Sequence, residues 1–371
     1  MAVPLDDYPI HQTPLSMAQV ATSDRNFYDR YYLCGFDNEG AAMFLSGLGV
    51  YWNLGVIDAF ITVRIGDKLH TVRTSGAATN DRLNPKVGVY TLDVVEPLKR
   101  LHVTVDGDEH GVGADLHWTG AHPAFDEPYH VLKRNGRVSV EAQRFAQVGT
   151  WSGELRVDGR TFTLTDATWS GARDRSWGIR PSGEAEPLGR YAGVGSANTG
   201  FWWVYLPIRF DDFSIMIIGQ EDADGTRTLT EATRVWGTQD DIKHEYLGFP
   251  EFDFDYRSGT RLPETATVHL GRRGKTFEMK ATALANVPLN CGPGYGNDPD
   301  WNHGLWKGEN WVEGAVLDIN DPKVAGRLPF TIVDHAARFE LDGQTGYGLL
   351  EHGSIGRHDP TGFADFMAVA P

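Results

Sequence analysis

Asp174 lies in the stretch "SGARDRSWGIRP", Ser170 to Pro181, directly between Arg173 and Arg175. In a strand, Ala172, Asp174 and Ser176 share one face and Arg173, Arg175 and Trp177 the other. A carboxyl facing an interior among small residues loses its hydration. Its pKa rises, and it can donate a proton near neutrality. The competing reading is that Asp174 pairs with an arginine or caps a turn and stays ionised, since ion-pair networks perturb carboxylates as readily as active sites do.

Two aromatic segments could accompany such an acid. In "GFWWVYLPIRFDDF", Gly200 to Phe213, alternation puts Phe201, Trp203 and Tyr205 on one face and Trp202, Val204 and Leu206 on the other. One face could line an apolar cavity and shelter a developing cation, or the rings could be core filler. The Gly-rich segment "CGPGYGNDPDWNHGLWKGENWVEG", Cys291 to Gly314, carries Trp301, His303, Trp306, Glu309 and Trp311. Irregular segments this aromatic often carry function. His303 and Glu309 could form an acid/base pair, or satisfy loop backbone and solvent. This segment lacks the Lys-Ser/Thr of a phosphate-binding loop. His117, His122 and His130, and Glu351, His352 and His358, show no recognised metal spacing, so no metal and no cofactor is expected.

The elements that must hold these groups read as strands. Apolar residues alternate on either side of turns at Gly66-Asp67, Asp158-Gly159, Asp224-Gly225, Arg273-Gly274 and Asp342-Gly343, and Asp-Gly between alternating runs is a strong hairpin signal. Sustained helical periodicity is scarce. Many short strands point to an all-β protein of sandwiches or barrels. A length of 371 residues suits two medium domains, with the boundary in "PSGEAEPLGRYAG", Pro181 to Gly193, hence units of 1–184 and 185–371.

Composition narrows the partners. With 34 Lys and Arg against 50 Asp and Glu, the charge of −16 repels a phosphate backbone, so neither nucleic acid nor an anionic membrane is expected as a main partner. No apolar run reaches the roughly eighteen residues of a spanning helix, and no secretory leader is legible at the start. Cys34 and Cys291 stand far apart, which suggests neither a disulfide framework nor a zinc site and makes a reducing cytoplasm the expected location.

"GARDRSWG", followed by "GFWWVYLPIRFDD" and, near the end, "GYGLLEHG", resembles three ordered motifs of a two-domain lipocalin-like family. That family includes the carotenoid 1,2-hydratases (hydroxyneurosporene synthase) and AttH-type proteins. The matching segments are Asp174–Gly178, Trp202–Asp212 and Gly346–Glu351. The resemblance implies two lipocalin-like antiparallel β-barrels packed side by side, with few short helices and a large cavity for a hydrophobic ligand. In the hydratases an aspartate of the mid-chain motif protonates an alkene and water captures the cation; Asp174 is the matching position. Where the family has a tyrosine two places earlier and flanking histidines, this chain has Ala172, Arg173 and Arg175. The segment "RFAQVGTW" holds no histidine either, so the proton-transfer apparatus of a carotenoid hydratase is not reproduced.

These readings converge on a cofactor-independent enzyme. It would act on a terpenoid, sterol-like or polycyclic substrate by acid-assisted hydration, isomerisation or cyclisation at a C=C bond. Asp174 would be the acid, with Glu351 or His303 as a second polar group. Trp177, Phe201, Trp203, Tyr205, Trp301 and Trp306 are the candidate substrate-binding rings, and Arg173 and Arg175 are expected to clamp the two domains together. The alternative is a non-catalytic carrier of a hydrophobic small molecule, which needs only an apolar cavity with a few placed polar groups. A purely structural β protein is the third.

Overall fold

Turn chemistry sets the strand boundaries. At Asp158-Gly159 φ is 51° and 72°, and at Asp342-Gly343 it is 49° and 78°. A two-residue hairpin of type I′ demands this left-handed pair, and Asp-Gly adopts it at low cost. Gly66, Gly225 and Gly274 also have positive φ at the other expected turns. The computed structural model describes residues 2–11, 16, 19–134, 136–181, 200–272, 274–296 and 298–371. The expected domain boundary, apart from Pro181, lies outside the described residues.

The chain is all-β, with two antiparallel sheets, one of them a curled half-barrel, and only short helical turns. Among the described residues the first sheet has 14 strands and the second nine. At the centre of the first, the strand Phe27–Asp37 pairs on one side with Ala42–Tyr51 and on the other with Trp169–Ile179, which in turn pairs with Arg137–Val157. In the second, Gly200–Arg209 lies between Ser214–Asp222 and Gln344–Gly356, and Val333–Leu341 follows. One strand crosses the divide. Trp311–Asp318, late in the sequence, pairs antiparallel with Lys68–Ala77 and forms an edge of the first sheet, with Trp311 opposite Ser75 and Asp318 opposite Lys68.

Each sheet buries its own apolar cluster. The first centres on Phe44, Trp118, Trp151 and Trp169, the second on Trp202, Leu206, Phe210 and Phe339. A third cluster joins Tyr32, Phe36, Met43 and Phe60 of the first sheet to Trp203, Tyr205, Met216 and Leu349 of the second, and this is the seam. Gly171 is required at the centre of its strand: a Cβ there would lie 2.2 Å from the Cys34 carbonyl oxygen and 2.6 Å from the Trp151 Nε1. The same indole donates its N–H to the Cys34 carbonyl at 2.9 Å, which fixes the ring beneath the strand pair.

Arg173 and Arg175 do not clamp the two sheets together. Arg173 Nη1 donates to Asp7 Oδ1 at 2.5 Å and Arg175 Nη2 to Asp29 Oδ1 at 2.6 Å, all four side chains being fully buried. The N-terminal segment carries Asp7 across the sheet face opposite the seam, so both guanidinium groups are neutralised within the first half of the chain. Arg173 is further held by Gln147, whose Oε1 accepts from Nε at 2.9 Å. Other side chains do reach across, among them Arg209, whose Nη2 donates to Ser170 Oγ at 3.1 Å, and Arg64, whose Nη1 donates to the Asn286 carbonyl at 2.7 Å.

Candidate active site

Three adjacent strands of the first sheet lay out one wall. In register, Tyr32 stands beside Asp174 and Asp174 beside Ala146; one step along, Arg30 stands beside Ser176 and Ser176 beside Arg144. Residues two apart on a strand share a face, so Arg30, Tyr32, Asp174, Ser176 and Arg144 form one polar panel. The opposite wall comes from the second sheet. Phe201, Trp203 and Tyr205 face the panel, while Trp202, Val204 and Leu206 point into the second sheet's own core. Glu351 joins them as the cross-strand neighbour of Tyr205. Between the walls lies a cavity of about 600 Å³, the size of a drug-sized ligand site.

Burial pushes the Asp174 carboxyl up to about 7, reinforced by the negative charges of Glu127 and Glu351 and opposed by Arg144 and Arg30. The side chain is deep in the protein yet borders the cavity, so a ligand can reach it. Glu127 is tied to Arg144 at 2.7 Å. Glu351 stands directly opposite Asp334 on the neighbouring strand. Burial raises both carboxyls, Asp334 to about 7 with the Asp174 charge adding to it and Glu351 further up through the charge of Asp334, so the hydrogen-bonded pair holds one proton between them near neutrality. The Tyr32 hydroxyl donates to Asp334 and the Trp203 indole N–H to Glu351, linking both walls through this pair.

The histidines at the cavity are neutral. Burial, with Arg144 and Arg180 nearby, pushes His130 down to about 4, and its Nε2 has no hydrogen-bond partner among the described residues. His303 is likewise pushed down by burial and by Arg30 and Arg180. Its Nε2 lies 2.5 Å from the Pro293 carbonyl oxygen, so the ring N–H donates there. His303 comes from the Gly-rich segment, whose tight path depends on Gly294: a Cβ at this residue (φ 86°) would meet Trp301 Cδ1 at 2.2 Å.

Of the residues singled out in the sequence, Asp174, Glu351, His303, Phe201, Trp203 and Tyr205 line this one cavity. Three candidate rings do not. Trp177 is on the opposite face of its strand, stacked on His11 at 3.4 Å. Trp301 is buried and stacked on Trp311 at 5.3 Å, and Trp306 is half exposed to solvent. Glu309 is exposed and does not approach His303 at the cavity. Sequence reasoning missed Arg30, Tyr32, Arg144 and Asp334. The signal for the first two was present in "FYDRYYLCGFD", where Tyr28, Arg30 and Tyr32 recur every second residue and so share one face of a strand.

One group of metal-ligand type occurs among the described residues. His102 and His117 stand opposite each other across a strand pair, with rings stacked at 4.3 Å, and Asp115 accepts from His102 at 2.7 Å. Cross-strand pairing creates this group, which linear spacing does not reveal, and none of the three lines the cavity.

Two antiparallel sheets, one of them a curled half-barrel, with a cavity at their seam make a lipocalin-like fold. The chain belongs to the family of unknown function DUF8625, whose model matches residues 3–364. Comparison with curated proteins finds no match. Among solved structures, kievitone hydratase from Nectria haematococca is similar at 14% identity and a TM-score of 0.50, covering 87% of this chain and 88% of the other. A putative AttH protein from Nitrosomonas europaea is similar at 14% identity and a TM-score of 0.50, covering 93% and 97%. The likeness to the hydratase and AttH group that the three motifs suggested therefore holds for the fold.

Proposed function

We propose that this protein is an enzyme that protonates a C=C bond of an apolar substrate held in the seam cavity, with Asp174 as the acid. The observation that carries the reading is a carboxyl with a pKa of about 7 in the wall of a cavity faced by Phe201, Trp203 and Tyr205. The Asp174 proton passes to one alkene carbon, the π pair becomes the new C–H bond, and the neighbouring carbon becomes cationic. The carboxylate left behind, the charge shared by Asp334 and Glu351, and the aromatic faces stabilise that cation. Water then adds and loses a proton to Asp174 (hydration), an adjacent C–H gives its proton to Asp174 (isomerisation), or a second double bond attacks and the new cation formed on it loses an adjacent proton to Asp174 (cyclisation). Each route returns the proton and uses only protein carboxyls and water. A terpenoid, sterol-like or polycyclic skeleton suits the aromatic wall, and the name of one structural neighbour, kievitone hydratase, is in keeping with the reaction class. Two buried free thiols, Cys34 and Cys291, suit a reducing cytoplasm.

A carrier is the second reading. The buried Tyr205 hydroxyl and His130 Nε2 line the cavity with no hydrogen-bond partner among the described residues, and such atoms serve ligand binding without chemistry. Asp174→Asn separates the two once native mass spectrometry of protein incubated with cell extract has identified the retained compound. The expected result is binding kept within about twofold and turnover lowered about 10²–10⁴-fold. Turnover unchanged in the variant would rule out Asp174 as the acid, and no turnover by the wild type would leave the carrier.

A further inference from the structure

Arg30 is 3% exposed and lines the seam cavity. The other buried arginines of this strand pair have carboxylates at hand: Arg173 has Asp7 and Arg175 has Asp29. Across the panel Arg144 has Glu127. Among the described residues, Arg30 makes no such ion pair. Its Nη2 donates to the Tyr295 hydroxyl at 3.2 Å, and its Nε has no partner. The same Nη2 lies 3.2 Å from His303 Nε2, but that nitrogen already donates to Pro293 and cannot accept. Burial works against the charge, yet Tyr295, Tyr51, Asp58 and Asp174 outweigh it and the group stays protonated. Neither aspartate is a firm counter-charge near neutrality: burial raises both carboxyls to about 7, and Asp58 is occupied by the Gly304 N–H at 2.6 Å.

A buried guanidinium without a paired carboxylate is costly, and the cost is relieved when a bound oxyanion supplies the missing acceptors. We infer that the substrate carries an anionic oxygen group, a carboxylate or ionised enol, that seats on Arg30 and the Tyr295 hydroxyl inside the seam cavity. The inference rests on reading this cavity as the substrate site. Arg30 and Asp174 are diagonal neighbours on paired strands, about 7–8 Å apart at the backbone. The anionic end therefore sits within a few bonds of the carbon that Asp174 faces. An oxyanion on Arg30 also cancels one of the two positive fields that hold the Asp174 carboxyl down, so binding favours the protonated acid.

The test compares two fluorescent probes of one skeleton, anilinonaphthalene sulfonate and its uncharged parent phenylnaphthylamine, at neutral pH. The expected result is at least about tenfold tighter binding of the sulfonate by the wild type, with the preference erased in Arg30→Met and partly kept in Arg30→Lys. A net charge of −16 opposes anions on average, so the preference would not arise from the surface as a whole. A second measurement needs no variant: decanoate should displace bound phenylnaphthylamine at least about tenfold more effectively than decanol. Equal affinity for both probes, equal displacement, or a preference that survives in Arg30→Met overturns the inference while the apolar site stands. Failure of phenylnaphthylamine to bind at all overturns the site and the inference together.

Discussion

Near neutrality Asp174 is balanced between two protonation states, because burial and the charges of Glu127 and Glu351 push it up while Arg144 and Arg30 pull it back. As the acid it works only when protonated. kcat/KM should be level below about pH 7 and fall about tenfold per unit above it, a limb that Asp174→Asn abolishes along with the activity. A profile rising through that range would assign the group as a base. The same shift acts on stability. The folded carboxyl titrates near 7 against an ordinary 3.8, so the folded state keeps a proton that the unfolded chain has already released. The associated stability is complete below the ordinary value and is lost as pH rises through about 7. Asparagine carries no such penalty, so the Tm of Asp174→Asn relative to wild type should increase from about pH 5 to about pH 8; a constant difference would show that the carboxyl titrates normally in the fold. At this scale the sequence was informative about Asp174 because alternation alone separates it from Arg173 and Arg175. It was silent about Asp334, which enters the site only through its register opposite Glu351.

At the scale of elements, the Trp169–Ile179 strand carries two unlike faces. One borders the cavity, and the other is closed by the N-terminal segment through Arg173–Asp7 and Arg175–Asp29. The Asp7 carboxylate also accepts the backbone N–H of Leu98, a residue with φ of 61°. Asp7→Ala would leave a buried guanidinium without its partner and an N–H without its acceptor. It should cost about 3–5 kcal/mol, read as a lowered midpoint in urea unfolding. A loss below about 1 kcal/mol would mean that water replaces the carboxylate there. The Asp-Gly turns were legible because their backbone demand is local. The pairing of Asp7 with Arg173 was not, because residues 166 apart meet only when the sheet is complete.

For the whole molecule, we propose that residues 1–184 and 185–371 are halves that complete one another rather than free-standing barrels. The first half lacks its edge strand Trp311–Asp318, and the seam cluster draws from both sheets. A chain of residues 1–184 produced alone should aggregate or bind anilinonaphthalene sulfonate strongly, and co-production with residues 185–371 should restore a soluble complex. A monomeric, cooperatively melting 1–184 would show the halves to be independent. The all-β class and the aromatic wall of the cavity were readable because strand alternation is written in neighbouring residues. The exchanged strand was not, since nothing near residue 311 names residue 75 as its partner.

The late edge strand also sets an order in time. Lys68 meets Asp318 across 250 residues of chain, at 2.6 Å. On a ribosome the early strands must wait for more than half of the protein to emerge before that edge is covered, and the exposed Lys68–Ala77 backbone is meanwhile open to pairing with other chains. Yield during synthesis should therefore depend on the speed of translation between these two strands more than on the stability of the finished fold.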